Sequence, residues 1–273
     1  HEITINLRED ECSPFQNSIY TYSFNEFKIN SNIDFFKKEG FDGIIHLASL
    51  YLTSHKSVEV GQLIDSNIRF GSIVLECACV ANVKWFINTG TSWQNFRNSK
   101  YSPVNLYAAS KQAFQSIAQY FIETNQIKFC TIKLFDTFGP EDSRQKVFNL
   151  WHKVALSGEI IEMSSGEQVI DMSYIDDIVS AFILLAVHLN EGLTEVLNGD
   201  EFVVKAKQRY TLKELSVIFE EVTGYKLNIL WGKKPYRKRE VMIPSEYGKA
   251  VPGWEPKFDL AEGIRAIIIN RKA

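Results

Sequence analysis

The chain has 273 residues, 45% of them hydrophobic, and a formal net charge of −3. That is enough apolar material to bury a large core, in one domain or in one large and one small unit. The near-neutral balance gives no electrostatic case for nucleic acid or an anionic membrane, no apolar run reaches the roughly 18 residues a bilayer span needs, and no signal-peptide core precedes the first polar segment. The cysteines are Cys12, Cys77, Cys79 and Cys130. Cys77 and Cys79 stand two apart on a predicted helix, facing different ways, and none has partners at metal-ligand spacing. The expectation is four reduced thiols in a cytoplasmic protein, with no metal.

Residues 1–7 read as a strand, followed by Arg8. No Gly-x-Gly-x-x-Gly or Gly-x-x-Gly-x-x-Gly turn occurs anywhere in the chain, although a dinucleotide fold uses such glycines to bring backbone N–H groups and a helix N-terminus against a pyrophosphate. Residues 43–49 form a second buried strand, ended by Leu47, Ala48 and Ser49. His46 within it reads as a core histidine. The apolar spacing over 58–81 predicts a helix, and Asn67 in its middle needs a hydrogen-bond partner.

Trp85, Phe86 and Ile87 predict a buried parallel strand that ends at Thr89, Gly90, Thr91 and Ser92. A helix over 106–125 follows. Tyr107 and Lys111 stand four apart and so lie one turn above the other on one face. The expectation is that the Lys111 ammonium favours ionisation of Tyr107, making a proton donor and acceptor near neutral pH. Residues 129–135 predict another strand, leading into Asp136, Thr137 and the Gly139-Pro140 turn.

Beyond Pro140 regular alternation ends. A helix carrying Val147, Phe148, Trp151 and Val154 precedes strand-like stretches at 159–163 and 168–172. Asp176 is the expected N-cap of an apolar helix through Leu189. Residues 195–199 read as a strand ending in a turn, Thr211 to Glu214 as a capping box, and Gly224 as the helix stop. Residues 235–241 form a cationic cluster, either a solvated loop or part of a site.

Thr91, Tyr107 and Lys111 together resemble the Ser/Thr, Tyr and Lys triad of the extended short-chain dehydrogenase/reductase family, which contains the nucleotide-sugar epimerases, dehydratases and reductases. Residues 46–49 are similar to that family's His-Leu-Ala-Ala element, Asn67 with Gly71 and Ser72, one residue more widely spaced, to its Asn-x-x-Gly-Thr helix, and Pro252 to Pro256 to its Leu-Gly-Trp-x-Pro segment. Residues 134–140 resemble most the CDP-abequose synthase-like reductases of CDP-linked 4-keto-3,6-dideoxyhexoses. The resemblance implies a Rossmann-like doubly wound α/β lobe over 1–140, with 171–197 returning to it, and a smaller α/β substrate lobe over 141–170 and 198–273. It also implies a first strand and Gly-rich loop that this chain lacks.

By the same resemblance the catalytic residues are Thr91, Tyr107 and Lys111. Arg8, Leu47, Ala48, Ser49, Asn67 and Leu134 join Tyr107 and Lys111 around the cofactor. Arg8 stands where the family carries an acidic residue toward the adenosine ribose, so NADP(H) is preferred and NAD(H) remains possible. Asn67 holds the lysine or supports packing. Thr91, Ser92, Trp93, Asp136, Thr137 and Arg239 are expected at the substrate, Arg239 at its diphosphate, with Trp93 either stacking on a sugar or capping the core. The implied activity is NAD(P)H-dependent reduction of a nucleotide-linked 4-keto-deoxyhexose. A nucleotide-sugar 4-epimerase is the alternative, a dehydratase ranks third because no acidic pair follows Thr91, and a cofactor-free scaffold subunit is the alternative of another class. A homodimer through a four-helix bundle of helices 58–81 and 106–125 completes the expectation.

Overall fold

The structure is a computed structural model that describes residues 4–8, 20–142, 144 and 146–270, with side chains described for 22–142, 144 and 146–268. Cys12 and the Arg8 side chain lie outside the described residues. In chain order the elements of the first lobe are β1 (Thr4–Arg8), β2 (Tyr20–Phe24), α1 (Ile29–Glu39), β3 (Gly43–His46), α2 (Val60–Ile64), α3 (Phe70–Val80), β4 (Trp85–Thr91), α4 (Leu106–Glu123) and β5 (Lys128–Leu134). Then come β6 (Asp136–Phe138), α5 (Val147–Ser157), β7 (Ile161–Glu162), β8 (Val169–Tyr174), α6 (Ile175–Glu191), β9 (Glu201–Val204), β10 (Arg209–Thr211), α7 (Leu212–Thr223), β11 (Ile229–Leu230), β12 (Lys249–Ala250) and α8 (Leu260–Asn270).

The central sheet is parallel throughout, in the order β12-β9-β5-β4-β3. Side chains alternate across it. On one face Phe86 and Phe129 pack with Val74, Leu75 and Ala78 of α3 and with Phe114, Ala118 and Phe121 of α4. On the other, Trp85, Ile87, Cys130 and Ile132 pack with Ile178, Ala181, Phe182 and Leu185 of α6. A sheet buried on both faces by crossover helices is the doubly wound α/β arrangement. β1 and β2 form a separate parallel pair, and among the described residues β3 is an edge strand of the main sheet.

The second lobe is built on β6-β8-β10 and β7-β11. Its core is Phe138, Phe148, Trp151, Leu215, Phe219, Ile264 and Ile267, drawn from β6, α5, α7 and α8. Thr211 caps α7 with the expected box, accepting from Glu214 N, and Gly224 ends it in the left-handed region at φ 72°. Among the described residues no helix is long and apolar enough to cross a membrane. Cys77, Cys79 and Cys130 are free and buried.

Several boundaries depart from the sequence reading. Residues 58–81 are not one uniform helix: a π-helical turn, Asp65–Arg69, separates α2 from α3. α6 has Tyr174 at its N-cap with no side-chain cap; Asp176 only lies in the first turn. It is Asp177 that is engaged, accepting from Lys257 N at 2.8 Å and Phe258 N at 3.1 Å. Residues 195–199 turn rather than extend, because Asp200 accepts from Leu197 N and Asn198 from Phe129 N. The strand follows as β9, and it pairs with β5 in the main sheet although it falls within the stretch 198–273.

Candidate active site

Thr91 is the last residue of β4, and its own chemistry shapes the turn beyond it. Its hydroxyl accepts from Trp93 N at 3.3 Å while its N–H donates to Gln94 Oε1 at 2.9 Å. Gln94 Nε2 then donates to Gln112 Oε1 of α4 at 2.8 Å, tying the strand tip to the helix. At the start of α4, Asn105 caps Ala108 N at 2.9 Å and donates to the carbonyls of Leu52 and Thr53. Strand tip, helix start and the segment after β3 are thereby pinned together. Tyr107 and Lys111 project from the first turns of α4, both buried.

The surroundings of Tyr107 come from the segment after β3. The Ser49 hydroxyl hydrogen-bonds the phenol, and the Tyr51 ring meets the Tyr107 ring edge-on, centroids 5.1 Å apart. Asn67, in the π-helical turn, accepts from Leu50 N at 2.7 Å and from Ser49 Oγ at 3.2 Å. It donates to Leu50 O at 3.0 Å and to Ser110 Oγ at 2.9 Å. Asn67 therefore holds Ser49 beside the phenol and grips α4 one residue before Lys111.

Burial pushes the Tyr107 phenol above the usual tyrosine range, with the Ser49 hydrogen bond and the Arg144 charge pulling the other way. This corrects the expectation that Lys111 lowers it. Desolvation outweighs every favourable contact, and the cation that acts on the phenol is Arg144. Burial lowers Lys111 itself to about 8. His46 sits among Phe70, Phe86 and Phe114 as a core residue. Burial first, then the Lys111 charge, brings it down to about 3.

In front of these groups opens a cleft of about 640 Å³ between the lobes. Ser49, Tyr51, Ser92 and Trp93 form its first-lobe wall, and Asp136, Thr137, Arg144, Lys146 and Arg237 line the opposite side. Lys146 Nζ donates to both oxygens of Thr137 at 2.8 Å. Arg144 pairs with Asp142 through two bonds of 2.7 and 2.8 Å, and Arg237 with Glu240 through bonds of 2.9 and 2.5 Å. Arg237 also lies over the Trp93 ring, 5.4 Å from its centroid. Burial raises the Asp136 carboxyl, opposed by Lys146 and Arg237.

The expected site residues divide accordingly. Ser49, Ser92, Trp93, Asp136 and Thr137 line the cleft, and Thr91, Tyr107, Lys111 and Asn67 stand behind Ser49, Tyr51 and Ser92. Leu47 is exposed past the end of β3, Ala48 packs on the α3–α4 side of the core, and Leu134 packs toward α6. Arg239 lies elsewhere: its guanidinium donates to Ser102 Oγ at 2.7 Å and covers the Phe96 ring. The cleft arginine of the 235–241 cluster is Arg237. Tyr51, Arg144 and Lys146 were missed, being loop residues whose place is set only by the packing of the lobes.

The sequence model of the NAD dependent epimerase/dehydratase family matches residues 4–203. Among curated proteins the chain is 28% identical over 244 residues to CDP-abequose synthase of Yersinia pseudotuberculosis, spanning 89% of this chain and 79% of that protein. It is 25% identical over 234 residues to CDP-abequose synthase of Salmonella typhimurium, spanning 83% and 75%. Among solved structures, UDP-glucose 4-epimerase from Thermotoga maritima with UDP-glucose superposes with TM-score 0.82 at 19% identity, over 100% of this chain and 91% of the other. DesIV, a dTDP-glucose 4,6-dehydratase from Streptomyces venezuelae with NAD bound, gives 0.77 at 18% identity, over 94% and 82%. At such identities the structural likeness is one of fold, which is the Rossmann-like doubly wound sheet. With more than half of its length matched by the family's model, the chain belongs to the NAD dependent epimerase/dehydratase family, the NAD(P)-dependent enzymes of the extended short-chain dehydrogenase/reductase type.

Proposed function

We propose that the chain reduces the 4-keto group of a nucleotide-linked deoxyhexose with a reduced nicotinamide cofactor. The observation that carries this reading is the placement of the buried Tyr107 phenol, set edge-on against Tyr51 at the wall of a cleft whose far side carries Arg144 and Arg237, each paired with a carboxylate, and Lys146. Two curated relatives named CDP-abequose synthase support the substrate class. No acidic pair follows Thr91, where Ser92 and Trp93 stand, and this argues against a dehydratase.

The residues present fit the nicotinamide-ribose end of such a cofactor: small Ala48 and Ser49 end the β3 segment, and Lys111 and Tyr107 stand buried behind them. When bound, the cofactor supplies the hydride. Tyr107 protonates the oxygen that becomes an alkoxide, Thr91 donates a hydrogen bond to the same oxygen, and Lys111 holds the ribose. Arg144 and Arg237 are the cations available to the diphosphate, each able to exchange its carboxylate partner for phosphate oxygens. Asp136 accepts hydrogen bonds from the sugar.

Incubation with NADPH or NADH and a panel of nucleotide 4-ketosugars, followed by absorbance of the reduced cofactor, tests the reading. Oxidation is expected. Isomerised sugar without net oxidation would make the chain an epimerase instead. Arg8, at the end of β1, is proposed to meet the 2′-phosphate of NADPH. Arg8→Asp should weaken NADPH binding by roughly 1.5–3 kcal/mol and affect NADH far less; equal losses for both in a fluorescence titration would refute NADP preference.

A further inference from the structure

A lysine in a central strand of a parallel sheet is out of place on packing grounds. Lys133 lies on β5, its side chain 1% exposed, in register with Gly90 of β4. Desolvating its ammonium is costly, and an apolar residue of like volume is often no worse for stability. Its partners show what the charge does there. Nζ donates to Asn95 Oδ1 at 2.8 Å and to Glu201 of β9, and lies 5.0 Å from the Tyr247 ring centroid.

One partner leads back to Thr91 and the other holds the far end of the same segment. The other oxygen of Glu201 accepts from Gln115 Nε2. Gln115 Oε1 accepts from Gln94 Nε2 at 3.1 Å, and Gln94 Oε1 accepts from Thr91 N at 2.9 Å. On the other side Asn95, fixed through Oδ1 by Lys133, donates to the carbonyls of Ser99 and Lys100 at 3.0 and 2.8 Å and so closes the loop. Gly90 makes room for this arrangement: a Cβ there would stand 2.8 Å from Gln94 Oε1 and 2.9 Å from Lys133 Cγ. Gln94 and Asn95 are both fully buried.

We propose that Lys133 is a positioning residue: one ammonium anchors both ends of the segment from Thr91 to Asn95 and thereby fixes the Thr91 hydroxyl and the Trp93 wall of the cleft. The functional half of this rests on the reading of Thr91 as donor to the ketone oxygen. Misplacing such a donor by about 1 Å can cost of the order of a hundredfold in rate while leaving substrate binding nearly intact.

The test compares wild type with Lys133→Met and with the double variant Lys133→Met/Glu201→Gln, which leaves no unpaired buried charge should the single variant fail to fold. Amide hydrogen exchange by mass spectrometry is read over residues 91–102, with α7 as internal control, alongside kcat and KM for the ketosugar that wild type turns over best. Exchange over 91–102 should rise about tenfold with α7 unchanged, kcat should fall by about 10–100-fold, and KM should stay within about threefold. A folded double variant with wild-type exchange, or with faster exchange and wild-type kcat, overturns the proposal. So does a loss of kcat without a change in exchange. A wild-type protein that oxidises no reduced cofactor would refute the reductase reading alone, and exchange would still decide whether Lys133 holds the segment.

Discussion

Tyr107 enters the site as a protonated phenol, because burial disfavours its anion. A phenol raised by burial keeps its proton at neutral pH, the state that reduction of a ketone consumes. Tyr107→Phe should therefore lower turnover by about 10²–10⁴ while leaving NADPH affinity within a few-fold; a variant keeping more than about a tenth of the wild-type rate would remove Tyr107 from the chemistry. His46 gives the converse case, a titrating group with no chemical role. Its folded value near 3 lies below the ordinary 6.5, so folding favours the neutral ring. The unfolded chain takes up the proton first as pH falls, and stability from this residue is intact above 6.5 and lost progressively down to 3. Urea unfolding at pH 7 and 4.5 should show wild type losing about 2–3 kcal/mol more than His46→Gln between the two. Equal losses would mean the ring is not desolvated as described.

At the scale of elements, periodicity located β4 and α4: a short apolar run ended by small polar residues, and Leu106, Ala109, Ala113, Ile117 and Phe121 recurring at helical spacing, although of these five only Phe121 is buried and the buried face is Ala108, Phe114, Ala118 and Phe121. The π-helical turn at Asp65–Arg69 was hidden for a physical reason. An inserted residue alters hydrogen bonding without disturbing apolar composition, and Leu63, Val74 and Leu75 still read as one helix. Only the need of Asn67 for partners was legible. The relation of Lys111 to Tyr107 failed in the same way: spacing places both on one face, but whether charge or desolvation dominates depends on burial, which sequence does not state. Asn67→Ala would leave the Leu50 amide and carbonyl without their partner and should cost about 1–3 kcal/mol. Because the same side chain holds Ser49 at the phenol, cofactor affinity should weaken as well. Thermal unfolding and NADPH titration unchanged from wild type would show the turn to be incidental.

At the scale of the whole molecule, the end of βα alternation after Pro140 was legible, while the return of β9 and β12 to the main sheet and the cleft were not. Arg144, Lys146 and Arg237 reach it from irregular segments whose course depends on how the second core, around Phe148, Trp151 and Phe219, seats against the first. The same packing revises the basis for a homodimer. The apolar residues that carried the expectation are Leu63, Ile68 and Leu75 on one helix and Phe114, Ile117, Phe121 and Ile122 on the other, and of these Leu63, Leu75, Phe114 and Phe121 are consumed in the chain's own core. What stays outward on these helices is a smaller set: Ile64 at 47% exposure, Val80 at 43%, Ile117 at 40% and Tyr120 at 62%. Exposed apolar side chains on two adjacent helices favour cover by their own copies about a two-fold axis, which buries each set against its equivalent. The homodimer is therefore still proposed, through a four-helix bundle burying more than about 1,000 Å² in total. Sedimentation at micromolar concentration should give twice the chain mass for wild type and a monomer for the pair Ile117→Glu and Tyr120→Glu, since charges facing each other across the axis repel and cannot be desolvated cheaply. A wild-type protein that sediments strictly as a monomer would leave these four side chains open to water and the bundle without support.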